Sequence, residues 1–361
     1  MISRRLFAAL PASAPFMGYR LSRLDIEDVR HEPLDVGATT VLSISPDSTV
    51  LVGVQFRNRL CFMDATTLEV LALGEPLDML QSLDRASVNW SPDSSRIAFS
   101  LDAWRMMRDS DIFVADVATA TITNITAEGH GEEAAALIDI TGALIDVYPR
   151  WLDDATLVFA RHDTSDGEVG TCDLCTLALA SGVIETALSL QPHGYQFVIS
   201  PPIVRADGSM IMTVQGGMKA GEVVIVDADG EVSPVPLEGV QAPVLVSASE
   251  THAVVQDRTS VGSLLVPLDD PTATTPFGDV FAYGDGYEFI GVPAVASDPE
   301  AYVGVAISKS SGKYRVFTLI DGKRQDRGYL GGDVKGPTCH LIGNTLLVEE
   351  PQNVWLIPLG G

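Results

Sequence analysis

Trp90-Ser91-Pro92-Asp93-Ser94-Ser95-Arg96-Ile97-Ala98-Phe99-Ser100 reads as the heart of a β-hairpin. Pro92 presets φ for the second turn position, and the Asp93 carboxylate can take backbone amides two residues on. The β-branched and aromatic run that follows suits a half-buried strand. Ser45-Pro46-Asp47-Ser48 is nearly identical, lies 46 residues earlier and leads into Val50-Leu51-Val52.

Loosening the pattern to an apolar residue, two residues and a turn acid gives weaker copies. Trp151 to Asp154 precedes Leu157-Val158-Phe159, Val204 to Asp207 precedes Met210-Ile211-Met212, and Val295 to Asp298 precedes Tyr302-Val303. In two further copies the match is thinner. Ser247 holds the apolar place before Glu250, and Leu341 to Asn344 has lost the acid. The seven anchors are spaced by 46, 61, 53, 43, 48 and 46 residues. That is the period of a four-stranded propeller blade. Each unit carries a third apolar strand, from Leu60-Cys61-Phe62-Met63 in the first to Val354-Trp355-Leu356-Ile357 in the last. Weaker fourth strands follow, such as Glu69-Val70-Leu71.

The expectation is an all-β chain forming a single β-propeller, with seven blades and with six or eight as the neighbouring counts. Two β-sandwiches, the competing fold, would impose no fixed period. The longest interval contains Glu132-Glu133-Ala134-Ala135-Ala136-Leu137, a helix-forming stretch read as an insertion between blades two and three. The last unit stops after its third strand, so residues 21–36 are expected to supply the missing fourth, because an open edge invites pairing with other chains.

Trp90 to Ser100, followed by Asp111-Ile112-Phe113-Val114-Ala115-Asp116, resembles the TolB-like (WD40-like) repeat of bacterial propellers. The match is full in the second blade, moderate in the first and by pattern alone in the others. The Gly-His and Trp-Asp dipeptides of typical WD40 repeats are missing. The resemblance implies one propeller over residues 25–361, a place in the bacterial envelope and protein binding through the propeller face or channel. Positions specific to TolB's partner do not map onto this chain.

Composition narrows the partners. With 23 Lys+Arg against 48 Asp+Glu the net charge is -25. Arg4, Arg5, Arg20 and Arg23 fall in a first stretch of 24 residues without an acid, so the body is more acidic still. Such a body repels phosphate backbones and anionic lipid heads, which argues against nucleic acid. The same excess also serves plain solubility. No run approaches the roughly 20 apolar residues of a membrane span.

Residues 1–24 are set apart as a basic leader. Ser3-Arg4-Arg5-Leu6-Phe7 resembles a twin-arginine export motif and Ala12-Ser13-Ala14 a cleavage site, although Pro11 and Pro15 fit poorly. A functional leader would place the protein outside the cytoplasm, and a plain tail would leave it inside. Four Cys make no disulfide framework. Cys172 and Cys175 lie on a strand, where residues three apart face opposite ways, so buried free thiols are expected.

No nucleophile elbow, zinc-protease, phosphate-loop or dinucleotide motif is present. The expected role is a non-enzymatic, monomeric binding module without cofactor or metal, taking a protein or small ligand on its rim loops. The candidate rim residues are Trp104, Arg105 and Arg108 in one loop, His162 and Asp163 in another, His193 and Tyr195 before blade four, Lys219, and Tyr283 and Tyr287 before blade six. Arg and aromatic residues are favoured binding anchors, while Trp104 could instead plug the channel. Acids beside His162 suit a cation, but bound Ca²⁺ needs six or more converging oxygens, which this spacing does not supply. The alternative is a propeller enzyme, a metal-dependent lyase or a hydrolase, with His130, His162 and His193 converging on the same face. Trp90 and Trp151 share one repeat position and are read as packing between blades.

Overall fold

The computed structural model describes residues 29–36, 39–101, 110–127, 144–163, 170–217, 221–259, 262–281, 286–297, 300–320, 322–332, 334, 337–342, 345–349 and 353–359. After β1 (Arg30–His31) the chain forms antiparallel sheets in sequence order. Blade one is β2 (Thr39–Ile44), β3 (Val50–Gln55), β4 (Arg59–Asp64) and β5 (Val70–Leu73). Blade two is β6 (Asn89–Trp90), β7 (Arg96–Ser100), β8 (Ile112–Asp116) and β9 (Ile122–Asn124). Blade three is β10 (Leu144–Trp151), β11 (Thr156–Asp163), β12 (Thr171–Ala178) and β13 (Val183–Ser189). Blade four begins with the broken strand β14 (Phe197–Val198) and β15 (Ile203–Val204), followed by β16 (Met210–Gln215), β17 (Glu222–Val226) and β18 (Val232–Pro234).

Blade five is β19 (Pro243–Ala248), β20 (His252–Asp257), β21 (Ser263–Pro267) and β22 (Thr275–Pro276). Blade six is β23 (Tyr287–Ser297), β24 (Glu300–Ser308), β25 (Tyr314–Ile320) and β26 (Lys323–Leu330). Blade seven is β27 (Thr338–Ile342), β28 (Thr345–Glu349) and β29 (Val354–Pro358). The residues that open the seven anchors, Ile44, Trp90, Trp151, Val204, Ser247, Val295 and Leu341, all lie at or near the end of a first strand.

Alternation along the second strands builds the ring. Neighbouring residues point to opposite sheet faces, so Leu51 packs toward blade seven and Val52 toward blade two. Ile97 and Ala98 divide likewise between blades one and three. Seven apolar clusters result, one at each seam, and the seventh joins Leu347 and Val354 of blade seven to Val41, Ile44 and Leu51 of blade one. Separate sandwiches would leave that last seam open. The chain is a seven-bladed β-propeller.

The hairpin turns follow the expected chemistry. Asp93 accepts the Ser91 hydroxyl at 2.6 Å and the Ser95 amide at 3.0 Å, and Asp47 does the same for Ser45 and Thr49. Ser48 and Ser94 share a left-handed φ of 62° and 61°. Part of the acid excess is therefore turn-forming carboxylate; Asp64, Asp207 and Asp227 also cap their own turns. Trp90 and Trp151 do pack between blades. Trp90 meets Phe62 edge-on at 6.0 Å, and the Trp151 indole N–H donates to the Asn89 carbonyl at 3.1 Å. Cys172 and Cys175 face opposite seams, and all four thiols are free and buried.

Ring closure departs from expectation. Instead of extending blade seven, β1 pairs in parallel with β26 of blade six, Arg30 opposite Tyr329 and His31 opposite Leu330. The chain then crosses to blade seven, where the Leu34 amide donates to the Val354 carbonyl at 2.8 Å. Leu34 and Val36 enter the seam between blades seven and one. Closure thus rests on apolar packing and a clasp, and blade seven has three strands among the described residues. Residues 21–28 and the helix-forming stretch at 132–137 lie outside the described residues.

Candidate functional site

A propeller has two faces. Here one carries the hairpin turns within each blade, and the other carries the loops between second and third strands together with the connections between blades. The described candidates, His162, Asp163, His193, Tyr195 and Tyr287, lie on or beneath this second, loop face. Trp104, Arg105, Arg108, Lys219 and Tyr283 lie outside the described residues, as does His130.

The structure brings three candidates together at the seam of blades three and four. The amides of His193 and Tyr195 both donate to the Leu190 carbonyl, at 3.1 and 3.2 Å. His193 is exposed. The Tyr195 hydroxyl donates to the Glu222 carboxylate at 2.8 Å. Burial, then that carboxylate, pushes its pKa up to about 12. His162 corrects the rim assignment: it is 0% exposed. Its position on β11 turns the ring into the seam, 5.9 Å from Phe197, with Nδ1 3.3 Å from the Gln196 carbonyl. Burial lowers its pKa to about 4, so at neutral pH it is an uncharged packing residue. Asp163 ends β11 where the loop leaves the blade. Tyr287 stands apart, edge-on to Phe317 at 5.0 Å in the seam of blades five and six.

Beneath the loop face in blade three, Asp146 is fully buried and accepts two bonds from Arg161, at 2.8 and 2.7 Å. Burial raises its pKa to about 6 against the pull of the guanidinium. Among the described residues, no three His, Cys, Asp or Glu side chains gather as a metal centre would need.

Two residues missed in the sequence stand out. Phe56 and Arg57 form the tip of the β3–β4 hairpin with φ of 51° and 69°, and the Asn58 amide closes the turn on the Gln55 carbonyl at 3.2 Å. Paired left-handed residues suit the twist of a hairpin, but Asn-Gly is the usual occupant. Here a phenyl ring that is 66% exposed takes the strained place. The signal is an aromatic residue followed by two arginines in Gln55-Phe56-Arg57-Asn58-Arg59, and no Gly or Asn-Gly marks the turn.

The channel adds a second feature. Its first strands carry β-bulges at Val41/Ser43, Val147/Arg150, Leu245/Ser247 and Ile290/Ala294. In blade three the bulge holds Tyr148 at φ 58° and sends Arg150 toward its neighbours. Its guanidinium donates to the carbonyls of Pro202 in blade four and of Ser87 and Ala86 before blade two, at 3.0 to 3.1 Å. A cavity of about 340 Å³ remains beside blades one, two, five, six and seven, and none of the candidate residues lines it.

No protein-family model matches the sequence, and no curated protein resembles it. Solved structures do match. An oligogalacturonate lyase in complex with manganese superimposes with a TM-score of 0.55 and 13% identity, over 88% of each chain. The β-propeller domain of the trilobed protease from Pyrococcus furiosus, described as having an open velcro topology, gives 0.50 and 15% over 86% of this chain and 93% of its own. The WD40 repeats of RRP9 give 0.50 and 13% over 91% and 99%. At such identities the likeness is one of fold, and that fold is the seven-bladed β-propeller.

Proposed function

We propose that the chain is a non-catalytic, TolB-like binding module that holds a protein partner on its loop face. The observation that carries the reading is the Phe56-Arg57 tip. Two consecutive non-glycine residues in the left-handed region cost roughly 1–2 kcal/mol each, and an exposed phenyl ring gains little from its own fold. Strain kept at an exposed aromatic–arginine pair suits a contact made with something else. His193 and the Tyr195–Glu222 pair lie on the same face, and the repeat chemistry at Ser91 to Asp93 supports the TolB-like assignment.

The test is capture from native extract with the wild-type chain and with Phe56→Ala/Arg57→Ala. A partner retained by the first and lost by the second supports the reading. Equal capture by both removes this tip from it.

A further inference from the structure

The outer wall of blade six breaks the charge pattern of the chain. The net charge is -25, yet seven of the 23 Lys and Arg fall within residues 309–335, beside only three of the 48 acids. Lys323, Arg324 and Arg327 belong to β26, the outermost strand of blade six apart from the short β1. The outermost strands of the other blades, β5, β9, β13, β18, β22 and β29, carry no Lys or Arg. Lysine on a sheet edge ordinarily keeps other chains away. Here β5 exposes Val70, Leu71 and Leu73 without one, so edge protection does not explain why the cations gather on β26.

β26 is also an edge that takes a strand. β1 adds to it in parallel, the Tyr329 amide donating to the Val29 carbonyl at 2.9 Å and the Gly331 amide to the His31 carbonyl at 2.7 Å. The His31 ring then donates to the Arg327 carbonyl at 2.6 Å. Beyond that point, Lys323 to Asp326 pair with β25 on one side and with no strand on the other among the described residues. Arg327 is engaged, its Nε donating to the Thr318 hydroxyl at 3.0 Å. Asp326 accepts from Arg315 and from the Gly328 amide at 2.7 and 2.9 Å. Lys323 and Arg324 are exposed and have no ion-pair partner among the described residues. Lys323 lies opposite Ile320 and Arg324 opposite Leu319, which pack toward blades seven and five. The two cations therefore flank the open edge, one on each face of the sheet.

From this open edge and its charges, we propose that Lys323 to Asp326 receive an extended acidic segment of a protein partner as an added strand. Backbone bonds hold such a segment along the edge. Its successive side chains point to opposite faces, so a run of consecutive Asp and Glu meets Lys323 and Arg324 at once. A strand alternating acid with apolar residue reaches only one of them. Two free cations fall short of the roughly four to eight that mark an anionic-lipid surface, and the acidic body repels phosphate backbones. The edge lies on the outer wall of blade six, apart from the Phe56 tip of blade one. It stands or falls independently of the loop-face reading.

Fluorescence polarisation on the full chain tests this with a short blocked peptide of Asp and Glu, against the matching peptide of Asn and Gln. The acidic peptide should bind, loosen as salt rises, and bind about tenfold more tightly than the neutral one. Lys323→Gln/Arg324→Gln removes two exposed cations, each worth up to about fivefold, so affinity should fall about tenfold at an unchanged melting temperature. Hydrogen exchange should show slowed amides within Lys323 to Asp326, and Phe56→Ala/Arg57→Ala should bind as wild type does. No binding of the acidic peptide, wild-type affinity in Lys323→Gln/Arg324→Gln, or slowing confined to other segments would overturn the inference. So would binding gained only in Asp25→Asn/Glu27→Gln/Asp28→Asn, which would assign the edge to the chain's own acids. Phosphatidylserine vesicles that displace the peptide through the same two cations would assign it to a lipid surface and overturn it as well.

Discussion

Replacing Phe56-Arg57 by Asn-Gly should make the protein more stable while removing its ability to hold a partner. Both residues adopt a left-handed φ, at a cost of roughly 1–2 kcal/mol each. Asn and Gly adopt it with little or no cost, but Gly loses more freedom on folding, which returns about 0.5–1 kcal/mol. Little packing is lost, since the phenyl ring is 66% exposed. A net gain of about 1–3 kcal/mol remains. At roughly 2.1 cal/mol/K of unfolding entropy per residue, that raises the melting temperature by about 1–4 °C for cooperative unfolding of the whole chain. Differential scanning calorimetry resolves such a shift. A melting temperature equal to or below wild type would show that the tip is not strained, and the argument that strain marks a contact would lose its footing.

Three further outcomes follow from the packing and the charges. Leu347→Ala in the seam between blades seven and one should cost about 2–5 kcal/mol by denaturant melt; a cost under 1 kcal/mol would mean that this seam does not hold the ring. Arg161→Met leaves the buried Asp146 without its partner and should cost about 3–5 kcal/mol at neutral pH. Because burial already raises the Asp146 pKa to about 6, the variant's deficit should shrink as pH falls and the carboxyl takes up a proton; a pH-independent deficit contradicts this. The turn acids act in the opposite sense. Hydrogen bonds from Ser91 and Ser95 lower Asp93 to about 2, so its contribution is full above pH 4 and is lost as pH falls toward 2. Asp93→Ala should therefore flatten that acid limb, and an unchanged limb would remove Asp93 from it.

The blades were legible because their signals are local. Pro, Asp and Ser at Ser45 to Ser48 and Ser91 to Ser94 specify a turn within a few residues, and period-two alternation at Leu51-Val52 specifies two buried faces. Both survive in weakened copies such as Leu341 to Asn344. Closure was not legible: whether β1 extends blade seven or blade six depends on which sheet edge is free in three dimensions, and Arg30-His31 carries no preference between them. His162 was misplaced for a related reason, since one residue of register on β11 decides between rim and seam. The cavity could not be read at all. It is lined by residues of five blades, from Ser43 to Leu341, that meet only once the ring has formed.

Hydrogen exchange of the chain with its captured partner, compared with the chain alone, shows most directly which face does the binding. The account predicts slowed amides at the β3–β4 tip around Phe56 to Asn58 and in the connection from Leu190 to Gln196. Turn amides such as Thr49 and Ser95 should exchange as in the unbound protein. Slowing confined to those turns, with the Phe56 tip unaffected, would contradict it.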